Sequence, residues 1–273
     1  MKAKVIPQKI VVITGGTSGI GAELVKIYKN LGHIICVLAK DIVIGNIQND
    51  TQLNYFECDV TDENMVKRCI EAIGNKFKKI DVVINCAGYG LAGALELTPT
   101  NDAKKQFDTN FFGTFLINNY AIKYMPKNST IVNIASACAL FALPYRGLYC
   151  ASKSAVDMYS KCLSMELAPS KINVISICPG DTKTNFSKNR VKVYQTNQRY
   201  GDSITKSIHK VEANQEKRME PNYVASKIFK FANKKHPKPM YIIGAKYKLL
   251  YFANRFLPQS VMLKFTNKMF GKD

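Results

Sequence analysis

Residues 9–21 read Lys-Ile-Val-Val-Ile-Thr-Gly-Gly-Thr-Ser-Gly-Ile-Gly, and a helical pattern from Ala22 to Leu31 follows them. The apolar run before the glycines is typical of a parallel strand that is buried on both faces. Glycines let the backbone come close to a pyrophosphate, and a helix N-terminus offers amide donors to it. Because a strand, a glycine turn and a helix follow one another here, the stretch predicts a dinucleotide site.

Outward from this stretch, short apolar runs alternate with helical patterns along the 273 residues. The predicted strands span residues 9–14, 33–39, 53–58, 81–85, 130–135, 171–178 and 240–243. No repeat or domain linker interrupts the pattern, so residues 1–244 are expected to form one domain and residues 245–273 an amphipathic extension. The predicted fold is α/β: a doubly wound, Rossmann-type parallel sheet of about seven strands, with helices on both faces and an α-helical C-terminal extension.

The composition excludes several classes of protein. The apolar fraction is 47%, and no apolar run approaches the ~18 residues of a membrane-spanning helix. The N-terminus lacks the apolar core of a signal peptide, and the eight cysteines form no Cys-x-x-Cys pair. We therefore expect reduced thiols in a cytoplasmic protein, with or without peripheral contact with a membrane. The three scattered histidines (33, 209 and 236) do not favour a zinc-dependent dehydrogenase or a histidine-based hydrolase.

The formal net charge is +19, from 39 Lys and Arg against 20 Asp and Glu. Such a charge suits nucleic acid, an anionic membrane surface or a negatively charged ligand. A Lys-, Asn- and Ile-rich bias that only decorates the surface explains it equally well. We expect no nucleic-acid partner, because no nucleic-acid motif is present and the basic residues are spread over many segments.

The spacing of Ser136, Tyr149 and Lys153 indicates a candidate catalytic set of a hydroxyl, a phenol and an amine. Ser136 ends the predicted fifth strand, at the edge where open α/β sheets place their sites. Tyr149 follows it by thirteen residues, and Lys153 lies four residues further on, one helical turn away on the same face. A neighbouring ammonium favours the phenolate and lowers a phenol pKa that is ordinarily about 10. The alternative is an amphipathic helix that carries Tyr and Lys without a catalytic role.

Two further positions bear on the site. Asn110 lies among aromatic residues in a long helix predicted to begin at Thr98 and Pro99, with Thr98 as its cap. An amide there is costly unless it bonds something specific. The second strand ends at Ala39, where a carboxylate would favour NAD, and Lys40 follows it. Lys40 could pair with the 2′-phosphate of NADP, but Asp41 beside it weakens the inference, and Lys40 could also be an exposed turn residue.

These motifs, in this order and spacing, resemble the short-chain dehydrogenases/reductases over about residues 8 to 244. The matching motifs are Thr14-Gly-x-x-x-Gly-x-Gly21, Asp59-Val60, Asn85-x-Ala-Gly88, Asn110 with Ser136, Tyr149 and Lys153, and Pro179-Gly180 with Thr184. Cys86 replaces the second Asn of the family's Asn-Asn-Ala-Gly. Ser18 stands where many NADP-preferring members carry Lys or Arg.

The resemblance implies a role for each catalytic residue. Tyr149 would be the general acid/base, and Ser136 would steady the substrate oxygen. Lys153 would lower the phenol pKa and hold the nicotinamide ribose, and Asn110 would support a water that links Lys153 to solvent.

The resemblance also implies a set of cofactor-binding residues. Gly15, Thr17, Ser18, Gly19, Ile20 and Gly21 would bind the pyrophosphate side, Lys40, Asp59 and Val60 the adenosine, Asn85, Ala87 and Gly88 the midsection, and Pro179, Gly180, Thr182 and Thr184 the nicotinamide, together with Tyr149 and Lys153. No metal is expected.

Two segments leave alternatives open. Residues 185–219 are polar and irregular, which indicates either a lid over the substrate or a disordered loop. In the tail, Val261, Met262, Phe265 and Met269 form an apolar stripe beside Lys264, Lys268 and Lys272. The stripe predicts either a helical cover on the domain or across a dimer interface, or an amphipathic helix on an anionic bilayer.

The resulting expectation is an NADP(H)-preferring oxidoreductase that interconverts a secondary alcohol and a ketone on a lipophilic substrate. The resemblance is nearest to members that act on hydroxysteroids or retinoids, and it implies a homodimer or homotetramer. A 3-oxoacyl-thioester reductase of the fatty-acid type is the alternative within the same class. A member that binds the cofactor without turnover is the alternative outside it.

Overall fold

Seven of the apolar runs form one parallel sheet in the computed structural model, which describes residues 7–42, 50–186, 189–213 and 218–271. In chain order the strands are β1 (Ile10–Thr14), β2 (Ile34–Ala39), β3 (Leu53–Glu57), β4 (Val82–Asn85), β5 (Leu91–Ala92), β6 (Thr130–Ile134), β7 (Asn173–Pro179), β8 (Val191–Lys192) and β9 (Met240–Ile243). The sheet order is β3-β2-β1-β4-β6-β7-β9, and β5 pairs with β8 apart from it. Chain order reverses between β1 and β4, which is where such sheets bind ligands.

Helices cover both faces of the sheet, as the sequence predicts. They are α1 (Gly19–Asn30), α2 (Glu63–Phe77), α3 (Thr100–Phe107), α4 (Gly113–Ala121), α5 (Gly147–Glu166), α6 (Ser203–Ala213), α7 (Pro221–Ala232), α8 (Ala245–Phe256) and α9 (Gln259–Phe270). Tyr28 of α1 and Ile228 of α7 pack in the core on one face, and Ile70 of α2 and Ile117 of α4 in the core on the other. The fold is the doubly wound α/β sheet that the alternating pattern predicts.

A side chain caps the start of α2, whereas the helix predicted to begin at Thr98 and Pro99 starts later than predicted and has no side-chain cap. Asp62 caps α2, since its carboxylate accepts a hydrogen bond from the Met65 amide at 3.0 Å. Before α3, the Thr98 hydroxyl donates to the carbonyl of Ala94 at 2.7 Å, and the helix begins at Thr100. Pro99 therefore precedes the first turn instead of opening it.

The predicted long helix around Asn110 is broken by a π-helical turn. Helix α3 runs into a π-turn at Asp108–Phe112, which leads directly into α4. Such turns insert an extra residue and are frequent at functional sites. Asn110 lies in this turn and is fully buried.

The segment 185–219 carries more structure than its polar sequence indicates. Within it, β8 pairs with β5, and α6 buries Ile204 and Ile208 against Ala92 and Ala94. The described part of the segment is therefore packed against β5 and the residues that follow it, whereas residues 187–188 and 214–217 lie outside the described residues.

The tail forms α8 and α9, but the predicted apolar stripe is only half right. Met262 is buried and Met269 packs against a core cluster, whereas Val261 and Phe265 are exposed. Thr266 is buried in their place because its hydroxyl donates to the Met262 carbonyl at 3.0 Å. Lys272 lies outside the described residues.

Helix α8 packs on the domain, as the first of the two predictions for the tail expects. Leu250 is buried, and the ring of Tyr247 stacks on Phe141 with centroids 6.5 Å apart. The Asn254 amide donates to the Leu140 carbonyl at 3.0 Å. Among the described helices, none is long and apolar enough to cross a bilayer.

Candidate active site

Two adjoining clefts open at the carboxyl ends of the central strands, with volumes of about 270 and 520 Å³. Of the predicted site residues, the first cleft is lined by Gly15, Ser18, Gly19, Ile20, Gly21, Ala87, Gly88, Ser136, Tyr149, Lys153, Pro179, Gly180, Thr182 and Thr184. The second is lined by Gly15, Thr17, Lys40, Asp59, Val60, Ala87 and Gly88. Both clefts share the walls at Gly15, Ala87 and Gly88, so together they form one elongated groove.

The glycine turn at the centre of this groove leaves room only for glycine. Gly15 has φ +63°, which side chains disfavour, and a Cβ on Gly21 would lie 2.3 Å from the Gly15 carbonyl oxygen. The hydroxyl of Thr14 accepts hydrogen bonds from the amides of Cys86 and Ala87, both at 3.1 Å, and so ties β1 to the end of β4.

The groove fits a nicotinamide dinucleotide. At the start of α1, the side chain of Ser18 makes no capping hydrogen bond, which leaves the first amides of the helix for an anion. Gly19 and Thr184 approach each other across the first cleft, where a Cβ on Gly19 would lie 3.3 Å from Thr184. A pyrophosphate bridge requires exposed backbone and an open helix N-terminus, and its two nucleosides require space on either side. The glycine turn, the start of α1 and the adjoining second cleft provide these features.

Tyr149 lies in the first turn of α5 and faces the groove beside Ser136. The Ser136 hydroxyl hydrogen-bonds the phenol and also accepts from the Cys138 amide at 3.1 Å. Burial raises the pKa of Tyr149 and outweighs the opposing effects of the Ser136 hydrogen bond and Arg190. The prediction that a neighbouring amine lowers this pKa is therefore wrong, and the phenol is protonated at neutral pH.

Lys153 lines the first cleft, and its amine is buried. Its Nζ donates to the Ile134 carbonyl at the end of β6, at 2.8 Å. Burial lowers the pKa of Lys153 to about 8, although the nearby cysteine thiols oppose this shift. Its amine is thus directed at the strand end.

Asn110 makes the specific bonds that its position demands. Its Oδ1 accepts from the Tyr89 amide and its Nδ2 donates to the Tyr89 carbonyl, both at 3.0 Å. The same Nδ2 donates to the hydroxyl of Ser152 at 3.1 Å. A Cβ on Gly88 would lie 2.9 Å from Asn110 Oδ1 and 3.4 Å from Lys153 Nζ, so the amide supports the groove wall from behind without lining it.

Asn85 does not reach the groove, contrary to the prediction that it binds the cofactor. Its Nδ2 donates to the Oδ1 atoms of Asn118 and Asn133, each at 2.8 Å, inside the core. Asn133 in turn donates to the Ser160 hydroxyl at 2.9 Å. Asn85, the last residue of β4, therefore joins helix and strands in the core, while Ala87 and Gly88, beyond the end of the strand, form the wall.

At the far end of the groove, Lys40 lies on the wall with Asp59 and Val60. The Lys40 ammonium makes an ion pair with Asp59 Oδ2 at 3.1 Å, and 72% of its side chain is exposed. Burial opposes ionisation of Asp59, but hydrogen bonds from Thr61, and after them the ion pair with Lys40, together lower its pKa.

Several residues of the first cleft were not predicted as site residues. They are Cys138, Arg146, Phe186, Arg190 and Tyr247, with Tyr89, Cys86 and Arg218. Phe186 packs its ring 5.7 Å from that of Tyr149, and the Tyr247 hydroxyl donates to Asp181 Oδ2 at 2.5 Å. A hydrogen bond from the Cys150 thiol, with Arg146 nearby, lowers the pKa of Cys138 to about 7. Only some of them had a signal in the sequence: Phe186, Arg190 and Arg218 lie in the segment 185–219, for which a lid over the substrate is one of the two predictions.

Comparison with known proteins places this site in a family. The family model described as short chain dehydrogenase matches residues 9–195. The 3-ketodihydrosphingosine reductase of Bacteroides thetaiotaomicron is 31% identical over 259 residues, covering 93% of this chain and 95% of the relative.

Solved structures agree with this relationship. A short-chain dehydrogenase from Streptomyces avermitilis superposes with a TM-score of 0.80 at 20% identity, covering 96% of each chain. The structure of ElxO with NADP bound has a TM-score of 0.72 at 28% identity, covering 89% of this chain and all of that one. The chain therefore belongs to the short-chain dehydrogenase/reductase family, as an oxidoreductase whose fold binds a nicotinamide cofactor.

Proposed function

We propose that this oxidoreductase uses NADP(H) to interconvert a secondary alcohol and a ketone on a lipophilic substrate. The observation that carries the proposal is that Ser136, Tyr149 and Lys153 line one cleft together with the glycine turn. A bound nicotinamide would exchange the hydride, and the protein would supply position and the proton.

Because its phenol is protonated, Tyr149 is suited to act as a proton donor. Because burial raises its pKa, Tyr149 holds a proton on Oη at neutral pH, ready for the oxygen of a ketone. Ser136 lies within hydrogen-bonding reach of the same phenol and would donate to that oxygen. Asn110 supports this arrangement by fixing Tyr89 next to Gly88.

A preference for NADP rests on the end of β2. Ala39 offers no carboxylate to a ribose, and Lys40 presents a cation at the wall of the second cleft. The ion pair between Lys40 and Asp59 is exposed and costs little to exchange for a phosphate. ElxO, which binds NADP, is a relative at 28% identity and supports the same assignment.

A lipophilic substrate is supported by the lining of the first cleft and by one relative. Tyr89, Phe186 and Tyr247 place aromatic surface around the Tyr149 hydroxyl. The relative from Bacteroides thetaiotaomicron is a reductase of a lipid ketone by its name. A 3-oxoacyl thioester would use the same catalytic residues, so the substrate panel below includes one.

The outer faces of α4 and α5 support a homo-oligomer. Phe112 of the π-turn, Phe115 of α4, and Met158 and Met165 of α5 are exposed apolar side chains. Exposed apolar patches of this kind commonly mark protein interfaces. We assign them to a contact between copies of this chain.

The far side of the tail supports peripheral contact of a cytoplasmic protein with a membrane. Leu249, Phe252 and Phe256 project outward from α8, where Lys248 and Arg255 are exposed beside them. An apolar face with basic neighbours suits the surface of an anionic bilayer. Because α8 also covers the groove through Tyr247, this contact would bring the active site to the source of lipophilic substrates.

The test of the function is turnover against steroid, retinoid, acyl-thioester and small ketones with NADPH, using Tyr149→Phe and the exposed Tyr223→Phe as a matched pair. Loss of the phenol should lower kcat at least 100-fold, and Tyr223→Phe should not change it. The fluorescence of bound NADPH should remain in both variants. Equal turnover by wild type and Tyr149→Phe would refute the mechanism, and failure to bind NADPH would refute the function.

A further inference from the structure

Three arginines line the first cleft together with Tyr149: the pair Arg146 and Arg190, and Arg218. Arg146 precedes α5 and is only 7% exposed. Arg190 precedes β8, and the position of a Cβ on Gly90 would lie 3.1 Å from both its Nε and the ring of Phe186. Since the Phe186 ring also packs against Tyr149, Arg190 lies on the same side of the groove as the phenol, away from Lys40.

Neither guanidinium of the pair Arg146 and Arg190 has a counter-ion within the part of the chain that the structure describes. Arg146 and Arg190 make no ion pair or side-chain hydrogen bond to a described residue, and the buried Nη1 of Arg190 has no hydrogen-bond partner. Asp181 is the carboxylate that lines this cleft, and it is bonded to the Tyr247 hydroxyl.

The arrangement is costly in isolation. A buried cation without a partner is destabilising, and Arg146 also lies at the N-terminus of α5, the positive end of the helix dipole. The two arginines repel each other, which adds to the effect of burial in lowering the pKa of Arg190. An anion held between them would offset all three costs.

We propose that Arg146 and Arg190 bind an anionic group of the substrate, a carboxylate or a phosphate, next to the carbon whose oxygen Tyr149 contacts. This inference rests on the proposed function and deepens it, since the substrate becomes an amphiphile with an apolar body and an acidic group. The planar guanidinium suits either anion, because its donors match two oxygens at once. The position beside Phe186 separates this anion from the 2′-phosphate expected at Lys40.

Binding tests the inference without turnover. Octanoate and octyl phosphate, compared with octanol, are added to the protein with and without NADP+, and thermal unfolding is followed. Either or both acids should raise the Tm of the wild type more than octanol does, and the two acids distinguish a carboxylate site from a phosphate site. In Arg190→Met the acids should raise the Tm no more than octanol does, and in Arg190→Lys they should keep part of their larger effect. The control is Arg68→Met, at an exposed arginine of α2, which removes the same charge and should keep the whole difference.

Turnover gives a second, independent readout. The ratio of kcat/KM for 4-oxodecanoate to that for its methyl ester should fall about 10- to 100-fold in Arg190→Met, because a hydrogen-bonded ion pair is lost. The ratio should be unchanged in Arg68→Met. Arg146→Gln should act in the same direction as Arg190→Met.

Several results would overturn the inference. One is a wild type that responds equally to the acids and to octanol, which needs no variant and so does not depend on folding. Another is a loss of NADPH affinity in Arg190→Met as large as the loss for the acid, which would assign the arginine to the cofactor. A wild type that reduces neutral ketones without preference for acids overturns the inference alone, whereas one that binds no NADPH overturns the proposed function as well.

Discussion

The amine of Lys153 lies 2.8 Å from the carbonyl oxygen of Ile134, the last residue of β6. Helix α5 is thereby tied to the end of the strand that leads into Ser136. The amine is almost fully buried, and burial lowers its pKa to about 8. The thiols of Cys86, Cys138 and Cys178 oppose that shift without cancelling it.

This pKa predicts a specific pH dependence of stability. The pKa of Lys153 is 10.5 in the unfolded chain and about 8 in the folded protein, so between these values the unfolded chain binds more protons. Stability from this group therefore rises with pH across that window and is lowest below pH 8. Lys153→Met lacks the amine, so its unfolding free energy should exceed that of the wild type most at low pH. At about 1.4 kcal/mol per pH unit, this difference between variant and wild type should decrease by roughly 3 kcal/mol from pH 7.5 to 10.5.

Urea unfolding of the cofactor-free protein at several pH values measures this difference, with the exposed Lys26→Met as control. The control should show no such trend. A difference between wild type and Lys153→Met that stays constant with pH would show that the buried amine keeps an ordinary pKa.

Lys40 should control the choice of cofactor. Lys40→Ala removes the cation at the end of β2, and we expect the preference for NADPH over NADH in kcat/KM to fall about tenfold, the value of one charge-assisted contact. Stability should change by less than about 1 kcal/mol, because the Lys40–Asp59 pair is exposed. Lys67→Ala, exposed on α2, should leave the preference intact. An unchanged preference in Lys40→Ala would show that other residues of the groove discriminate between NADPH and NADH.

The local parts of the site could be predicted from sequence because each is formed by residues that are close together in the chain. The strand, glycine turn and helix of residues 9–31 follow from apolar runs and from glycines, and Tyr149 and Lys153 share a face by helical spacing. Their protonation could not be predicted in this way. It depends on burial and on groups that packing brings close from distant parts of the chain, such as the thiols of Cys86 and Cys178 near the amine of Lys153.

Side-chain direction escaped prediction for a similar reason. Asn85 belongs to a recognisable motif, but its side-chain amide points into the core, where it donates hydrogen bonds to Asn118 and Asn133. In α6, the buried positions Ile204 and Ile208 stand among polar residues, so the segment looks irregular until Ala92 and Ala94 provide the surface they pack on. Arg146 and Arg190 carry no motif, and only the fold brings them together.

The exposed methionines of α5 should mediate self-association. Met158 is 60% and Met165 70% exposed, and a lysine at either place would bring a charge into an apolar interface. Met158→Lys should shift the mass measured by light scattering toward the monomer. Leu31→Lys, at an exposed apolar position after α1, is the matched control and should retain the assembly. A wild type that is monomeric at all concentrations would remove the proposed interface.

The rings of Phe252 and Phe256 should hold the tail on an anionic membrane. They lie 4.7 Å apart and are 63% and 67% exposed, although α8 buries its opposite face on the domain. Burying each ring in a bilayer contributes about 1.5–3 kcal/mol, so the double variant Phe252→Ser/Phe256→Ser should bind vesicles of phosphatidylserine and phosphatidylcholine more than tenfold more weakly. Turnover of a water-soluble ketone should stay within about twofold, because Tyr247 still covers the groove. Tyr223→Ser, which removes an exposed ring from α7, should bind as the wild type does, and vesicle binding that survives in the double variant would assign the face of α8 to a protein partner instead.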